Sequence, residues 1–498
     1  AHISHVRIYG NDRLYEEVVR RELRTKPGDL FSKDALMRSA REIQSMGFFD
    51  PEKVNPDIQP NYEDGTVDIN WPLEQKSNDQ VEFSLGWGQT GVIGRISLKL
   101  NNFSMRNLFG KNKMHRGIMP IGDGEQLALS AQTNGSYYQS YSISYSSPWF
   151  GGRRPNAFNV GAYYSKQTDI NSSYYNSSWM NSMYNYYGGY GSYNNYLNNY
   201  ESYLDDDKYV QLFGLSVGWG KRLRWPDDYF QLSVSLSYQR YMLRDWQYFI
   251  ISNGNCNNIN LGITLARTST DNQMFPRRGS EFMASVTLTP PWSKFDNKDY
   301  SKLATDRTSA TYEQEQQEKY RWIEYHKWKF KARTFTALTS GQKCFVLMSR
   351  VEFGILGSYN KDKKSPFENF YVGGDGMSGY STGYAQETIG LRGYENGSLT
   401  PWSAPGYAYD RFTLELRYPF MLGNTTIYGL TFLEGGNAWY DTKKFNPFDM
   451  KRSAGVGVRI FLPMVGMMGI DWAYGFDKAL STGTKGGSQF HFILGQEF

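Results

Sequence analysis

At 498 residues the chain is too long for one ordinary soluble core, and two or more units are expected. Aromatic residues reach 16% and glycines number 50, yet mean hydropathy is −0.60; no apolar run approaches the roughly 18–20 residues of a membrane helix, so any crossing of a bilayer is by strands. The net charge of +5 is small for this length and gives no reason to expect a nucleic-acid partner.

The first segment, residues 1–76, reads as a small α+β domain. Ile3, Val6 and Ile8 predict a strand, and Leu14 to Leu23 a helix. Gly28 marks a turn. A second helix follows, with Ser32 as its N-cap, Asp34 in its first turn, and Phe31 placed to staple against Leu36. Its apolar positions Leu36, Ala40 and Ile43 have helical spacing, and Gly47 stops it. Strands are predicted over Val54 to Gln59 and Val67 to Leu73, joined by a turn at Glu63-Asp64-Gly65. The order β-α-α-β-β, ending in "GFFDPEKVN" and "GTVDINWPL", resembles the POTRA domain from end to end. The resemblance implies an open sheet edge that can pair with an extended peptide.

Over residues 80–498 the period changes to two. Leu232, Val234, Leu236 and Tyr238 alternate with Ser233, Ser235, Ser237 and Gln239. Phe412, Leu414, Leu416 and Tyr418 alternate with Arg411, Thr413, Glu415 and Arg417. Tyr141, Ile143 and Tyr145 alternate with serines, and Ala454, Val456, Val458 and Ile460 with small or charged residues. A soluble sandwich alternates in the same way. Predicted strands of about 9–11 residues, with short connections alternating with long polar ones, favour an all-β transmembrane barrel of about sixteen antiparallel strands. It is expected to begin near Val81 to Trp87 and to end at Gln489 to Phe498. The long extracellular loops are predicted at 167–207, 290–320 and 359–409. The first, rich in Tyr and Asn, ends in Asp205-Asp206-Asp207; a solvated acidic loop is the preferred reading, with calcium binding as the alternative. Cys256 is placed in a surface loop and Cys344 in a periplasmic turn, on opposite faces, so they are expected to stay unpaired.

Several motifs recur in order: "SPWFGGRRP" at Ser147 to Pro155; "DNQMFPRRG", with Asp271, Phe275, Pro276 and Gly279; "FYVGGDGMSGY" followed by "IGLRGYENG", which carries Arg392, Gly393 and Tyr394; "FLEGGNAWY", with Glu434; "KRSAGVGVRIFLPMVGMMGIDWAYGF"; and the terminal "QFHFILGQEF". Together they resemble the BamA/TamA superfamily across nearly the whole chain. Departures are an insertion between Gly379 and Ile389, the Tyr-rich loop, and Glu434 where the family has Asp. The resemblance implies that the sixth loop folds into the barrel and that Arg392 meets Glu415 and Glu434. Alternation independently turns Glu415 inward, but it does not orient Glu434. The resemblance also implies that 271–279 is a periplasmic turn. Ala1 begins directly in a strand with no signal peptide before it; a barrel must first cross the inner membrane, so the chain is read as processed, or as a fragment holding only the last POTRA domain.

Gly374, Gly376 and Gly379 spell G-x-G-x-x-G, but without the flanking strand and helix that dinucleotide binding needs. No Walker loop or H-E-x-x-H is found and the five histidines are scattered, so no cofactor, metal or catalysis is indicated. The family's mechanism implies a lateral seam between Val81, Phe83, Leu85, Gly86 and Trp87 of the first strand and Phe490, Phe492, Leu494, Gly495 and Phe498 of the last. Gly86, Gly88 and Gly495 either weaken pairing there or serve curvature. The expected function is insertion of nascent outer-membrane β-barrel proteins without covalent chemistry, in the outer membrane of a Gram-negative bacterium. Partners would be accessory lipoproteins of a BAM-type complex, the lipid bilayer and surface proteins at the long loops, with the N-terminal domain in the periplasm. The alternatives are a TamA-like or two-partner-secretion transporter, and a passive porin or adhesin.

Overall fold

The computed structural model describes residues 1–50, 53–75, 79–88, 91–109, 120–134, 137–152, 155–170, 204–246, 251–272, 274–306, 308–376, 387–401, 403–423, 425–462 and 466–494. The chain divides into two compact units, residues 1–167 and 168–498.

In the first unit, β1 (His2–Tyr9), α1 (Glu16–Arg20), α2 (Lys33–Ser45), β2 (Asp57–Asn61) and β3 (Thr66–Pro72) form the N-terminal domain. Its sheet runs β1-β3-β2, with β1 parallel and β2 antiparallel to β3. Both helices press apolar faces on this sheet: Val18, Val19, Leu36 and Ile43 pack with Ile3, Val6, Ile69 and Trp71. Ser32 caps α2 by accepting from the Ala35 N–H. The first helix is shorter than the sequence suggests: Leu14 is held by a turn to Asn11, and Tyr15 is extended. The strand expected at Val54 to Gln59 starts at Asp57, after Pro56.

Five strands complete this unit: β4 (Gln80–Gly88), β5 (Gly91–Phe103), β6 (Glu125–Asn134), β7 (Tyr138–Ser147) and β8 (Asn156–Ile170), which crosses into the second unit. A short helix, α3 (Met105–Phe109), lies between β5 and β6. The N-terminal domain is seated on this connection. The Tyr15 N–H donates to the Gly122 carbonyl at 2.9 Å, and the Tyr15 hydroxyl to Asn107 Oδ1 at 2.8 Å. Arg106 bridges Glu17 and Asp123, at 2.9 and 2.6 Å. Trp149, in the turn after β7, donates its indole N–H to Glu22. Gly122 has φ +137°, and a Cβ there would lie 2.6 Å from the Tyr15 ring. Gly122→Val is therefore expected to unseat the domain, at a cost of about 1–3 kcal/mol. Hydrogen exchange should rise in α1 and α3 and stay unchanged in β6 and β7; protection that persists in α3 would contradict this docking.

The second unit continues with β9 (Leu204–Arg222), β10 (Phe230–Arg244), β11 (Gly254–Thr268), β12 (Gly279–Leu288), a loop helix α4 (Tyr312–Tyr320), β13 (His326–Ala337) and β14 (Val346–Gly357). A small parallel pair, β15 (Phe370–Val372) with β16 (Glu387–Ile389), sits in the next loop. The chain closes with β17 (Ala408–Met421), β18 (Thr426–Trp439), β19 (Lys451–Leu462), β20 (Gly466–Lys478) and β21 (Lys485–Leu494). Excluding β15 and β16, β4 to β21 make a sixteen-stranded sheet in chain order. Among the described residues no helix is long and apolar enough to cross a membrane.

This sheet is inside-out by the standards of a soluble protein. Leu414, Leu433, Val456, Ile470, Trp472 and Phe492 are exposed, while Arg350, Glu352, Arg411, Glu415, Asp471 and His491 are buried. Large apolar side chains along one face, with charges hidden on the other, are what a lipid-facing wall requires. Charges on the hidden face are tolerable only because they pair. The fold is a transmembrane β-barrel behind a small α+β domain.

Several strands exceed the expected 9–11 residues: β9 has 19, and β8, β10 and β11 have 15 each. Polar residues at the strand ends continue the extended backbone beyond the apolar band. Asp205 to Asp207 accordingly lie on β9, with Asp205 at 3.3 Å from Lys208 and Asp207 at 3.7 Å from Arg244. Residues 171–203 of that loop lie outside the described residues. Cys256 is on β11 instead of in a loop, and Cys344 just precedes β14; both are buried free thiols.

Candidate functional site

The loop from β14 to β17 carries Arg392 onto the polar face of β17, β18 and β20. There the residue is 3% exposed. Its Nε donates to Glu434 Oε2 at 2.6 Å, its Nη2 to Glu415 Oε1 at 2.8 Å, and its Nη1 to Asp471 Oδ2 at 3.0 Å. Its plane lies over the Phe432 ring, 3.5 Å from the centroid. Guanidinium suits this place because its donors are fixed in a plane and it is weakly hydrated.

Each carboxylate is also held by an arginine of the wall. Arg411 Nε reaches Glu434 at 2.5 Å, Arg417 Nη2 reaches Glu415 at 2.6 Å, and Arg459 reaches Asp471 at 2.5 and 2.8 Å. Four guanidinium groups thus share three carboxylates, with Arg392 at the centre. Burial opposes the charge of Arg392, but Glu434, Glu415 and Asp471 outweigh it and hold its pKa above the ordinary arginine value.

The two following residues fix the loop tip. The Gly393 N–H donates to His491 Nε2 at 2.8 Å, so the proton of a neutral His491 sits on Nδ1. Gly393 has φ +88°, and a Cβ there would meet Ser453 Cβ at 2.8 Å and Gly475 N at 2.9 Å. The Tyr394 hydroxyl donates to the Arg452 carbonyl at 2.8 Å. Gly393→Val combines a strained backbone, of order 1–3 kcal/mol, with a backbone clash. Exchange of amides 390–400 is expected to rise about 10- to 100-fold, and an unchanged Gly393 amide would refute the contact.

The same loop has a second anchorage on β13. Lys327 Nζ lies 2.5 Å from Glu368, and Lys329 Nζ lies 2.9 Å from Glu387. Glu387 belongs to β16, at the end of the inserted segment. Residues 377–386, including Gly379 of the glycine-rich stretch, lie outside the described residues.

In the turn 271–279, Asp271 Oδ1 accepts from the Arg277 and Arg278 N–H groups at 2.9 and 3.2 Å. Phe275, next to Pro276, is buried with Phe335, Met348, Tyr428 and Phe432. Gly279 has φ +111°. Asp271 thus binds turn backbone, while Phe275 reaches into an apolar cluster on the otherwise polar face.

On β4 the backbone pairs Val81 with Leu98, Phe83 with Ile96, Leu85 with Gly94, Gly86 with Ile93 and Trp87 with Val92. Val81 is exposed; the side chains from Phe83 to Trp87 lie outside the described residues. At the other end of the sheet order, Phe490 and Phe492 are exposed on β21. The Leu494 side chain, Gly495 and Phe498 lie outside the described residues. Sequence reasoning missed Asp471, Arg411, Arg417, Arg459 and His491 as members of the site; alternation along β17, β19 and β20 was the available signal for the four charged residues.

Residues 121–498 match the Omp85 superfamily domain. The chain belongs to the Omp85 superfamily. Residues 1–74 match the POTRA family described as a surface antigen variable number repeat. This Omp85 chain is 23% identical over 440 residues to outer membrane protein assembly factor BamA of Neisseria meningitidis serogroup B, covering 84% of this chain and 42% of that protein. It spans under half the length of the curated relatives it matches. In fold it is similar to BamA from Haemophilus ducreyi lacking POTRA domains 1–3, with a TM-score of 0.53 and 17% identity, over 99% of this chain and 83% of that one. It is also similar to CdiB from Escherichia coli, with a TM-score of 0.55 and 12% identity, over 99% and 75% of the two chains. It is an outer-membrane barrel with a periplasmic POTRA domain.

Proposed function

We propose that this Omp85 chain folds and inserts β-barrel proteins into the outer membrane through a seam between β4 and β21, without covalent catalysis. The observation that carries this reading is the sheet order, in which the first and last barrel strands are the two ends. An unpaired strand edge in hydrocarbon costs several kcal/mol per backbone group. A barrel whose terminal strands part therefore offers a nascent strand the partners that lipid cannot. Glycine at 86 and 88 on β4 fits this reading, since a strand position without a side chain weakens pairing, although the same residues could serve curvature. The resemblance to BamA supports the same reading, with nascent outer-membrane barrels as substrates, lipoproteins of a BAM-type complex as partners, and the POTRA domain receiving them.

Cysteines placed in pairs along β4 and β21 test the seam. Oxidation is expected to stop assembly of porins, and reduction to restore it. Normal porin assembly with the strands covalently joined would sink the proposal. Depletion separates insertion from transport of a single exported protein: the insertase reading expects many outer-membrane barrels to be lost together, and loss of one secreted protein alone would reverse it.

A further inference from the structure

A polar cavity of about 580 Å³ opens where β13, β14, β17 and β18 reach their long-loop ends. Tyr359, Tyr407, Tyr440 and His326 supply its aromatic wall; Lys361, Lys364 and Lys443 supply its charge, with Asp441 the single carboxylate in its lining. Among the described residues none of the three lysines has a carboxylate within 4.0 Å, and Asp441 is engaged by the Lys443 N–H at 3.0 Å. The Lys364 ammonium instead sits over two rings, 4.7 Å from the Tyr407 centroid and 4.6 Å from that of Tyr440. The His326 ring lies tilted against that of Tyr359, 5.3 Å between centroids. The Trp328 indole N–H donates to His326 Nδ1 at 3.0 Å, which leaves Nε2 as the donor of a neutral ring. Opposite His326, Gly357 has no side chain to fill the space; a Cβ there would strike the imidazole.

The height of this cavity in the membrane follows from the strands that carry it. Outward apolar residues run from Phe345, just before β14, to Ile355, which pairs with Trp328. These ten steps amount to about 33 Å along the strand, or about 25 Å along the membrane normal at a tilt near 40°. That is the height of the apolar band of an outer-membrane barrel. Phe345, Tyr418 and Phe420 cluster at its lower edge. His326 and Gly357 lie two residues beyond its upper edge, on the lipid-facing side, where headgroups begin. Aromatic rings with one wet end belong at that level.

We infer that this cavity binds the headgroup of a phosphorylated glycolipid in the outer leaflet. The three lysines, which have no carboxylate within 4.0 Å among the described residues, would take the phosphate, and the tyrosine faces would take the sugar. The apolar stripe through Trp328 and Ile355 directly below gives the acyl chains their place. Basic side chains at a bilayer surface attract anionic lipid in this way.

The whole chain, folded in detergent, is to be mixed with a bis-phosphorylated diglucosamine lipid, its dephosphorylated counterpart, or phosphatidylglycerol, and retained lipid counted by native mass spectrometry. The wild type is expected to retain the phosphorylated glycolipid at least tenfold better than either of the others, and millimolar inorganic phosphate should not displace it. The K361Q/K364Q/K443Q variant should lose that preference while keeping its heat-dependent shift on gels. K443Q alone, on an exposed turn, should give a partial loss and guards against misfolding of the triple variant. Undiminished retention by the variants would overturn the inference. So would equal retention of the dephosphorylated lipid or of phosphatidylglycerol, or displacement by phosphate.

Discussion

Arg392→Ala is expected to free the descending limb of the long loop while the barrel stays folded. The substitution removes three charge-assisted hydrogen bonds made in a buried site. Breaking a buried ion pair typically costs about 3–5 kcal/mol, chiefly through the charge left behind. Here Glu434, Glu415 and Asp471 each keep a wall arginine, so the remaining set is balanced, three against three. The loss therefore falls on loop anchorage more than on the wall, at the lower end of that range, or on the order of a hundredfold in the released population. Protease cleavage within 387–401 on intact cells is the readout. A loop that stays protected, with the folded barrel unchanged, would mean that Lys327, Lys329 and the contacts of Gly393 and Tyr394 hold it without Arg392. Arg392→Lys should not rescue, because one ammonium cannot span three carboxylates in the fixed geometry of the fork.

Glu434→Ala is expected to damage the barrel itself, and more severely than Arg392→Ala. It strips a partner from two buried guanidinium groups at once, Arg392 and Arg411. Four arginines then face two carboxylates, where the other substitution leaves three facing three. Uncompensated buried charge, at about 3–5 kcal/mol, is the dominant cost. The temperature at which the folded band disappears on gels should fall further than for Arg392→Ala, and Glu434→Ala/Arg411→Ala should recover part of the difference. An equal fall in both single variants, with no recovery in the double, would show that the ions do not act as one set.

The sequence made the fold legible because its two periodicities are clean. Helical spacing in α2 and alternation in β10, β17 and β19 identify their elements from a few residues each. Strand ends were less legible. Asp205 to Asp207 and Asn255 to Asn258 look like turn residues, but the first lie within β9 and the second stay paired to β10 within β11, where side-chain polarity no longer marks the end of a strand. Glu415 could be oriented because its neighbours Arg411, Thr413 and Arg417 share its face. Glu434 could not, and the structure supplies the reason: Tyr428, Leu430 and Phe432 on the same face of β18 join Phe275 and Met348 in an apolar cluster, which blurs the contrast between the faces. Asp471 lies on a strand whose other face is plainly apolar, through Ile470, Trp472, Tyr474 and Phe476, so alternation along β20 turns it inward. His491 enters the site through a backbone amide, a contact that leaves no trace in side-chain pattern.

That amide has a mechanical corollary for β21. A strand displaced by one position presents every side chain to the opposite side. Such a slip would swing the imidazole of His491 into hydrocarbon, press Phe490 and Phe492 into a charged interior, and leave the Gly393 N–H without its acceptor. The loop tip thereby works as an indexing pin: the terminal strand can sit against it in one alignment, and any cycle that shifts that strand must first withdraw the pin.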